Sequence, residues 1–575
     1  MAATTTTTPH PHWFETYRQH IIHLSVCIAI LSYSMPQALL LLSKFDDSMI
    51  KNETKNTTTE ETAQKSVTAA SLPMIAVVLQ TLCCLVCVLI IIDEVIYMTK
   101  RRTLPPGDSG YPILGHMPQV VSDPYLFFLH RKAKFGFPST YKLFGTPCVK
   151  FYTDDDVNWL VAQERKGNVK AYVLEFLQDA IGKESIMFQS GEVHKRLRKL
   201  FEPAFAPQAI QHYATTMDDV TQTTLSRLAS ASSTNENEFC DGREWAVLAF
   251  RIFVTCAFGK TVVEDESKFI RMIQSFETWL RGLNSPIPFS LFPGSPLARA
   301  LYHRDLLGKI LGDMIDEFQQ QHAHHPPKIE TETDGNDDDG STKNNLLGRL
   351  IYSVDGDGNP PTRKQLIDNL RFILVAGFDT TKSTFGALFI ELSKHPTVYK
   401  ALIEEVDGFA SPLNVEELKS APILNAVMAE TWRLNSPLHG HIMQCRIDLE
   451  YKGYTIPKGT VVTTDAPTYH LTAEDRYPDA TEFRIERWIP PGHPLYDPRY
   501  CVDWNYNVMS AKYRPFSVGT HSCLGAHFAK LEVRIVVTRL LQKYHIELRN
   551  EQIRRAPTYQ RFSEFKLIER ETENK

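Results

Sequence analysis

Apolar and polar positions divide the chain into two unlike parts. Two apolar runs come first, Ile21–Leu42 and Leu72–Ile92, and from residue 116 onward apolar residues recur with mainly helical spacing. The first run is interrupted by His23, Pro36 and Gln37. The second, LPMIAVVLQTLCCLVCVLIII, carries no charge at all. Each is about 20 residues long, the length a helix needs to cross a bilayer at about 1.5 Å per residue. Asp93 and Glu94 follow the second run, then Lys100, Arg101 and Arg102, and the positive-inside rule puts this basic end in the cytosol. The first run also fits a signal sequence, but its flank has Arg18 far from the start and no small-residue cleavage site. Two spans, or one span plus an interfacial helix, are the alternatives left. The polar linker at 43–71 holds Asn52-Glu53-Thr54 and Asn56-Thr57-Thr58, glycosylation acceptors if the linker is lumenal, as a two-span hairpin requires.

The pattern thus gives a tail at 1–20, spans at 21–42 and 72–92, a hinge at 93–115 and one large domain at 116–570. The hinge contains LPPGDSGYPILGH, from Leu104, whose prolines and glycines cannot continue a helix. Within the large domain, residues 326–345, PPKIETETDGNDDDGSTKNN, read as an acidic solvated insertion, with His322, His324 and His325 just before it. Thr362 and Gln365 fit a capping box, and apolar periodicity behind them predicts one long helix to about Leu392. Strand signals cluster at Tyr141–Tyr152 and Tyr454–Thr464, with Pro457-Lys458-Gly459 as a turn. The expectation is a mainly α domain with small β-sheets.

Composition narrows the function by exclusion. A net charge of -5 with 22% charged residues gives no basic surface for nucleic acid. The ten cysteines are irregularly spaced, without the paired CxxC units of a zinc site, which suits reduced thiols facing the cytosol.

One cysteine stands apart, in PFSVGTHSCLGAHFAKLEVRIVV, Pro515–Val537. Gly519 allows a tight turn before it, and Gly525 lets a large flat ligand lie close to the backbone. Cys523 then sits just before a helix with Leu531, Ile535 and Leu540 on one side, where backbone N–H groups favour a thiolate. An ordinary buried cysteine is the bland alternative. Phe516, Gly519, His521, Cys523 and Gly525 resemble the haem-binding signature of the cytochromes P-450, with His521 where an arginine is usual. The resemblance implies that Cys523 is the axial ligand of the haem iron and that His521 donates to a haem propionate.

Three further patterns follow the family's order. Ala376-Gly377-Phe378-Asp379-Thr380-Thr381 lies inside the long helix and is similar to the oxygen-activating segment. A mid-helix glycine costs about 1 kcal/mol against alanine, and at Gly377 a groove for dioxygen beside the haem would justify it. Asp379 and Thr380 then supply an acid and an alcohol able to relay protons for O–O cleavage. Glu430 and Arg433, three apart on one helix face, with Arg487 in Phe483-Arg484-Ile485-Glu486-Arg487-Trp488, resemble the family's buried structural triad, with Ile485 replacing a proline. In GEVHKRLR, His194 and Arg198 share a face and are similar to the helix that bonds the propionates. Lys195, Arg196 and Lys199 would suit docking of an acidic electron donor. Arg446 is the nearest candidate for a second, strand-borne propionate contact, and the stretch from Trp488 to Phe516 is longer than usual.

The resemblance covers about residues 104–570. It implies the helix-rich cytochrome P-450 fold behind N-terminal transmembrane helices, one haem b, and insertion of one atom of dioxygen into a lipophilic substrate. Electrons would come from NADPH through a separate reductase, as expected of NADPH–cytochrome P-450 reductase at the cytosolic face of the endoplasmic reticulum. LPPGDSGYPILGH and GEVHKRLRKLFEPAF are similar to the branch that oxidises sterols, retinoids and other isoprenoids, with fatty acids and carotenoids left open. The competing classes are a peroxide-rearranging or dehydrating enzyme, which the Asp379-Thr380 pair disfavours, and a non-enzymatic membrane haem sensor, which would need no such relay.

Overall fold

The computed structural model describes residues 60–571, apart from 174, 234–238, 284–293, 323–344, 439, 502–511 and 555–559, together with Val26, Cys27 and Ile30. The first apolar run (those three residues aside), both glycosylation tripeptides and the acidic insertion up to 344 lie outside the described residues. Asn345, at the insertion's end, caps the helix Leu346–Ile351 by accepting from Gly348 N. The described residues fall into two compact units. One holds residues up to 121 with 126–151 and 447–462, and the other holds 122–125, 152–446 and 463 onward.

The first unit opens with helix α1 (Glu60–Arg101), 42 residues long. It is longer than the expected span at both ends. Glu60, Glu61, Ala63, Gln64 and Lys65 are good helix formers, and nothing after Ile92 breaks the helix before Pro105. Its segment Gln80–Arg101 is long and apolar enough to cross a membrane by length and composition. Val78, Leu82, Leu85, Leu89 and Ile92 are exposed on it, an apolar stripe along the helix. The hinge expected at 93–115 therefore starts inside the helix. Its side chains are pinned: the buried Lys142 Nζ donates to Asp93 Oδ2 at 2.5 Å and stands over the Tyr97 ring. Beyond the helix, Asp108 accepts from Arg131 Nη1 at 2.5 Å and lies 2.8 Å from His116 Nε2. Lys142 belongs to the hairpin of β1 (Ser139–Leu143) and β2 (Thr146–Phe151).

The second unit is the helical body. Helix α2 (Asp154–Arg165) starts with a capping box between Thr153 and Asp156. It is followed by strand β3 (Val169–Ala171), helix α3 (Gly191–Phe201), α4 (Pro207–Ser233) and α5 (Glu244–Phe258). Helix α6 (Arg363–Lys394) has the expected Thr362–Gln365 capping box and runs 32 residues. It also passes the membrane test of length and composition, but most of its apolar window is buried, so it is the core helix. Trp245 of α5 stacks on Phe389 of α6 at 5.0 Å and on Phe565 at 4.2 Å. Burial of one such ring contributes about 1.5–3 kcal/mol. Helices α7 (Val415–Ser420), α8 (Pro422–Leu434) and α9 (Ala526–Lys543) complete the frame around the cysteine.

The strands are short. β3 pairs antiparallel with β4 (Ile442–Cys445), Val169 opposite Cys445. In the first unit, β5 (Leu449–Tyr451) pairs with β6 (Tyr454–Ile456). The strand signals at Tyr454–Thr464 give β6 and β7 (Val461–Thr464), separated by the expected turn at Pro457–Gly459, where Gly459 has φ +85°. A last hairpin joins β8 (Tyr544–Arg554) to β9 (Gln560–Glu569).

Candidate active site

The cysteine loop is built from its own backbone. Cys523 N donates to Phe516 O at 2.9 Å and Ser522 N to Gly519 O at 3.2 Å, closing a compact turn ahead of α9. Gly519 has φ +85°, and a Cβ there would lie 2.4 Å from Glu164 Oε2, so both conformation and space require glycine. The Cys523 side chain is accessible yet densely surrounded by protein. Burial pushes its pKa up, and the Gly525 N–H and Arg198 only partly oppose this. A metal cation bound to the sulfur would favour the thiolate.

Small residues leave open space where a flat group would need it. A Cβ added at Gly525 or at Gly377 would meet nothing within 4 Å. Gly377 sits mid-way along α6, next to an exposed Ala376, although the same helix buries Leu374, Phe378 and Phe385. Trp432 of α8 links the two places. Its indole N–H donates to Thr384 Oγ1 on α6 at 3.2 Å, and its ring meets Phe516 of the cysteine loop edge-on at 4.9 Å. An accessible cysteine and side-chain-free positions at Gly377 and Gly525 fit a haem. Asp379 is half-buried, and Thr380 Oγ1 donates to Ala376 O at 2.6 Å, as alcohols inside helices commonly do.

A histidine cluster adjoins the loop. The His521 ring lies 4.0 Å from that of His194 and 4.8 Å from that of His441. His521 Nδ1 is 2.6 Å from Glu164 Oε1, and Nε2 is 2.9 Å from Gln189 O. Both nitrogens are thus engaged, so the expected bond from His521 to a propionate would have to compete with Glu164 and Gln189. Burial alone would raise the Glu164 carboxyl, but hydrogen bonds from His521 and Thr520 hold it down to about 2. Burial, then the neighbouring His521, lowers His194 and His441 to about 4.

Arg198 braces the loop itself. Its Nη1 donates at 2.9 Å to both Thr520 O and Ser522 O, a different engagement from the expected propionate bond. Two of the outward cations expected to dock a donor are already paired. Lys195 bonds Glu192 at 2.6 Å and Arg196 bonds Asp355 at 2.5 Å. Arg446, just past β4, is exposed, whereas His441, just before it, packs on His521.

Glu430, Arg433 and Arg487 do come together, each fully buried. Arg433 donates to both Glu430 oxygens at 2.8 Å, and Arg487 Nε donates to Oε1 at 3.1 Å. The Trp488 indole and the Arg484 backbone N–H donate to the same carboxylate at 2.9 Å. Burial would raise Glu430, but Arg433 and the other donors pull it below the ordinary carboxylate range. The remaining Arg433 N–H groups donate to His470 O, Ala480 O and Glu482 O, so the pair fastens α8 to the loops that follow it.

The sequence reading missed Glu164 and His441. Both reach the site from segments far away in the chain, and neither carries a local motif. A glycine held against a carboxylate, as Gly519 is, becomes visible only in three dimensions.

This architecture, a helix-rich body around a cysteine loop shaped for a flat ligand, is that of a haem-thiolate enzyme. The family model for cytochrome P-450 matches residues 105–568, and the chain belongs to that family. Abscisic acid 8'-hydroxylase 1 of Arabidopsis thaliana is 28% identical over 78% of this chain and 86% of its own length. The (1S)-1-hydroxy-luvungin A synthase of Citrus sinensis is 27% identical over 78% of this chain and 87% of its own. Among solved structures, a cyanobacterial member with retinoic acid bound superposes with a TM-score of 0.67. It is 25% identical and covers 81% of this chain and 99% of that one. The chain is accordingly a cytochrome P-450 monooxygenase, which uses haem, dioxygen and reducing equivalents from NAD(P)H delivered by a redox partner.

Proposed function

We propose that this enzyme oxidises a lipophilic isoprenoid, an apocarotenoid acid, terpenoid or sterol, at the cytosolic face of the endoplasmic reticulum. The observation that carries the substrate class is the chemistry of the relatives. One hydroxylates abscisic acid and another was solved with retinoic acid, and both compounds are isoprenoid carboxylic acids. Anchoring rests on the exposed apolar stripe of α1, and the donor expected there is NADPH–cytochrome P-450 reductase.

In this reading Cys523 would hold the haem iron through its sulfur, and the bound haem would supply the activation of dioxygen. The chain supplies the rest. Gly377 leaves the middle of α6 free of a side chain, and Asp379 with Thr380 would hold and move protons there. Gly525 lets the porphyrin edge approach the backbone. His194, His441, His521 and Arg198 make a polar cluster beside the cysteine loop that would meet the haem carboxylates in competition with its present bonds, and Phe516 packs against Trp432. Glu430, Arg433 and Arg487 hold the frame and take no part in the chemistry.

The test is to supply the full chain with reductase and NADPH and to offer abscisic acid, retinoic acid, a sterol and a long-chain fatty acid. Products gaining one oxygen from the isoprenoids are expected, with slower turnover of the fatty acid. Turnover of the fatty acid alone would reject the substrate class.

A further inference from the structure

A cavity of about 620 Å³ opens beside α9, walled by the start of α4, by α7, by the start of α8 and by the segment around Trp488. Helix α9 contributes His527, Lys530 and Arg534, whose spacing puts them on one helix face. Lys419 of α7 joins them, and no Asp or Glu is among the described lining residues. Much of the remaining wall is apolar, including Ile210, Trp488 and Leu531. Arg534 is only 6% exposed and is held by donating from Nε and Nη2 to Asn425 Oδ1 at 2.9 and 2.7 Å.

We propose that this cavity binds an amphiphilic anion, with one phosphate or carboxylate head between Lys419, Lys530 and Arg534 and an apolar body against Trp488 and Ile210. Size, charge and lining agree on that occupant. Ligand pockets run about 300–1,000 Å³ and pair a mostly apolar wall with a few convergent polar groups. Among the described lining residues the charged groups are all cations, which favours an anionic head over a cationic one. Lys419 has an acid nearby, Glu416 at 2.8 Å, but that residue does not line the cavity. Burial, then Arg534 and Lys419, holds Lys530 down to about 8, a strain that a bound anion relieves. The site shares α9 with the cysteine loop but none of the groups assigned to haem or dioxygen, so it stands or falls apart from the substrate class.

Lys530 reports its own occupancy, because an amine with a lowered pKa is labelled readily near neutral pH. The haem-loaded full chain, in bilayer discs of zwitterionic lipid, is treated with an amine reagent, and labelling of Lys530 is followed by mass spectrometry. Dodecyl phosphate should slow that labelling about tenfold, while dodecanol and inorganic phosphate at the same concentration should not. Lys419→Gln should raise the protecting concentration several-fold while leaving the haem spectrum unchanged. Discs containing phosphatidic acid form a second arm. Protection there as well assigns a membrane lipid as the source, and protection by the soluble phosphate alone assigns a free metabolite. Unchanged labelling with both phosphate amphiphiles overturns the proposal, as does equal protection by dodecanol. Loss of turnover with dodecyl phosphate while Lys530 stays reactive places the amphiphile at the substrate site, and also overturns it.

Discussion

Thr380 sits mid-helix with its hydroxyl turned back onto Ala376 O, an arrangement that holds the side chain without a tertiary partner. If it moves protons, Thr380→Ala should leave haem binding intact and lower product formed per NADPH consumed, by about 100-fold if the alcohol acts as a general acid. Equal losses of NADPH consumption and product would instead mark a structural role. The histidine rim predicts a pH response. His194 and His441 titrate near 4 in the folded protein against an ordinary 6.5, so the unfolded chain takes up their protons first as pH falls. Their contribution to stability is complete above pH 6.5 and is lost as pH drops toward 4. Glu164 has the same sign but acts lower, between 4.5 and about 2. Urea midpoints should therefore fall across the histidine window, and His441→Gln should flatten that slope. An identical slope in the variant would remove His441 from the explanation. At this scale the cysteine loop was legible because its residues are contiguous. Glu164 and His441 were not, since only folding brings them to His521.

Helix α8 is locked to the chain beyond it through one buried carboxylate. Glu430 accepts from Arg433, Arg487, Trp488 and the Arg484 backbone, all screened from water. Breaking such a pair by removing one partner costs about 3–5 kcal/mol, because the other charges stay buried. Glu430→Gln should yield little folded, haem-loaded protein, while a surface change such as Lys195→Gln should be neutral. A Glu430→Gln protein of unchanged urea midpoint would show the triad to be dispensable. Among the elements, α6 was readable almost to the residue, since the Thr362–Gln365 box marks its start and its periodicity is long. α1 was underestimated because apolarity marks the membrane stretch and not where the helix begins or ends. The ion pair of Asp93 with Lys142 also lay beyond local reading, for it joins residues 49 positions apart.

At the scale of the molecule, the strands β1, β2, β5 and β6 group with α1 and not with the helical body, a division that the even helical patterning of the sequence does not reveal. The apolar face of α1 predicts that the full chain stays with membranes through an alkaline carbonate wash. A chain starting at Asp93, which keeps the Lys142 contact, should move to the supernatant with its haem signature unaltered. Release of the full chain by carbonate would refute anchoring by α1. The central claim, that Cys523 binds the haem iron through sulfur, is tested most directly by the carbon monoxide difference spectrum of the reduced protein, run beside Cys523→Ala. The account predicts a strongly red-shifted Soret band in the parent and none in the variant. A parent that holds haem yet lacks that band would contradict it.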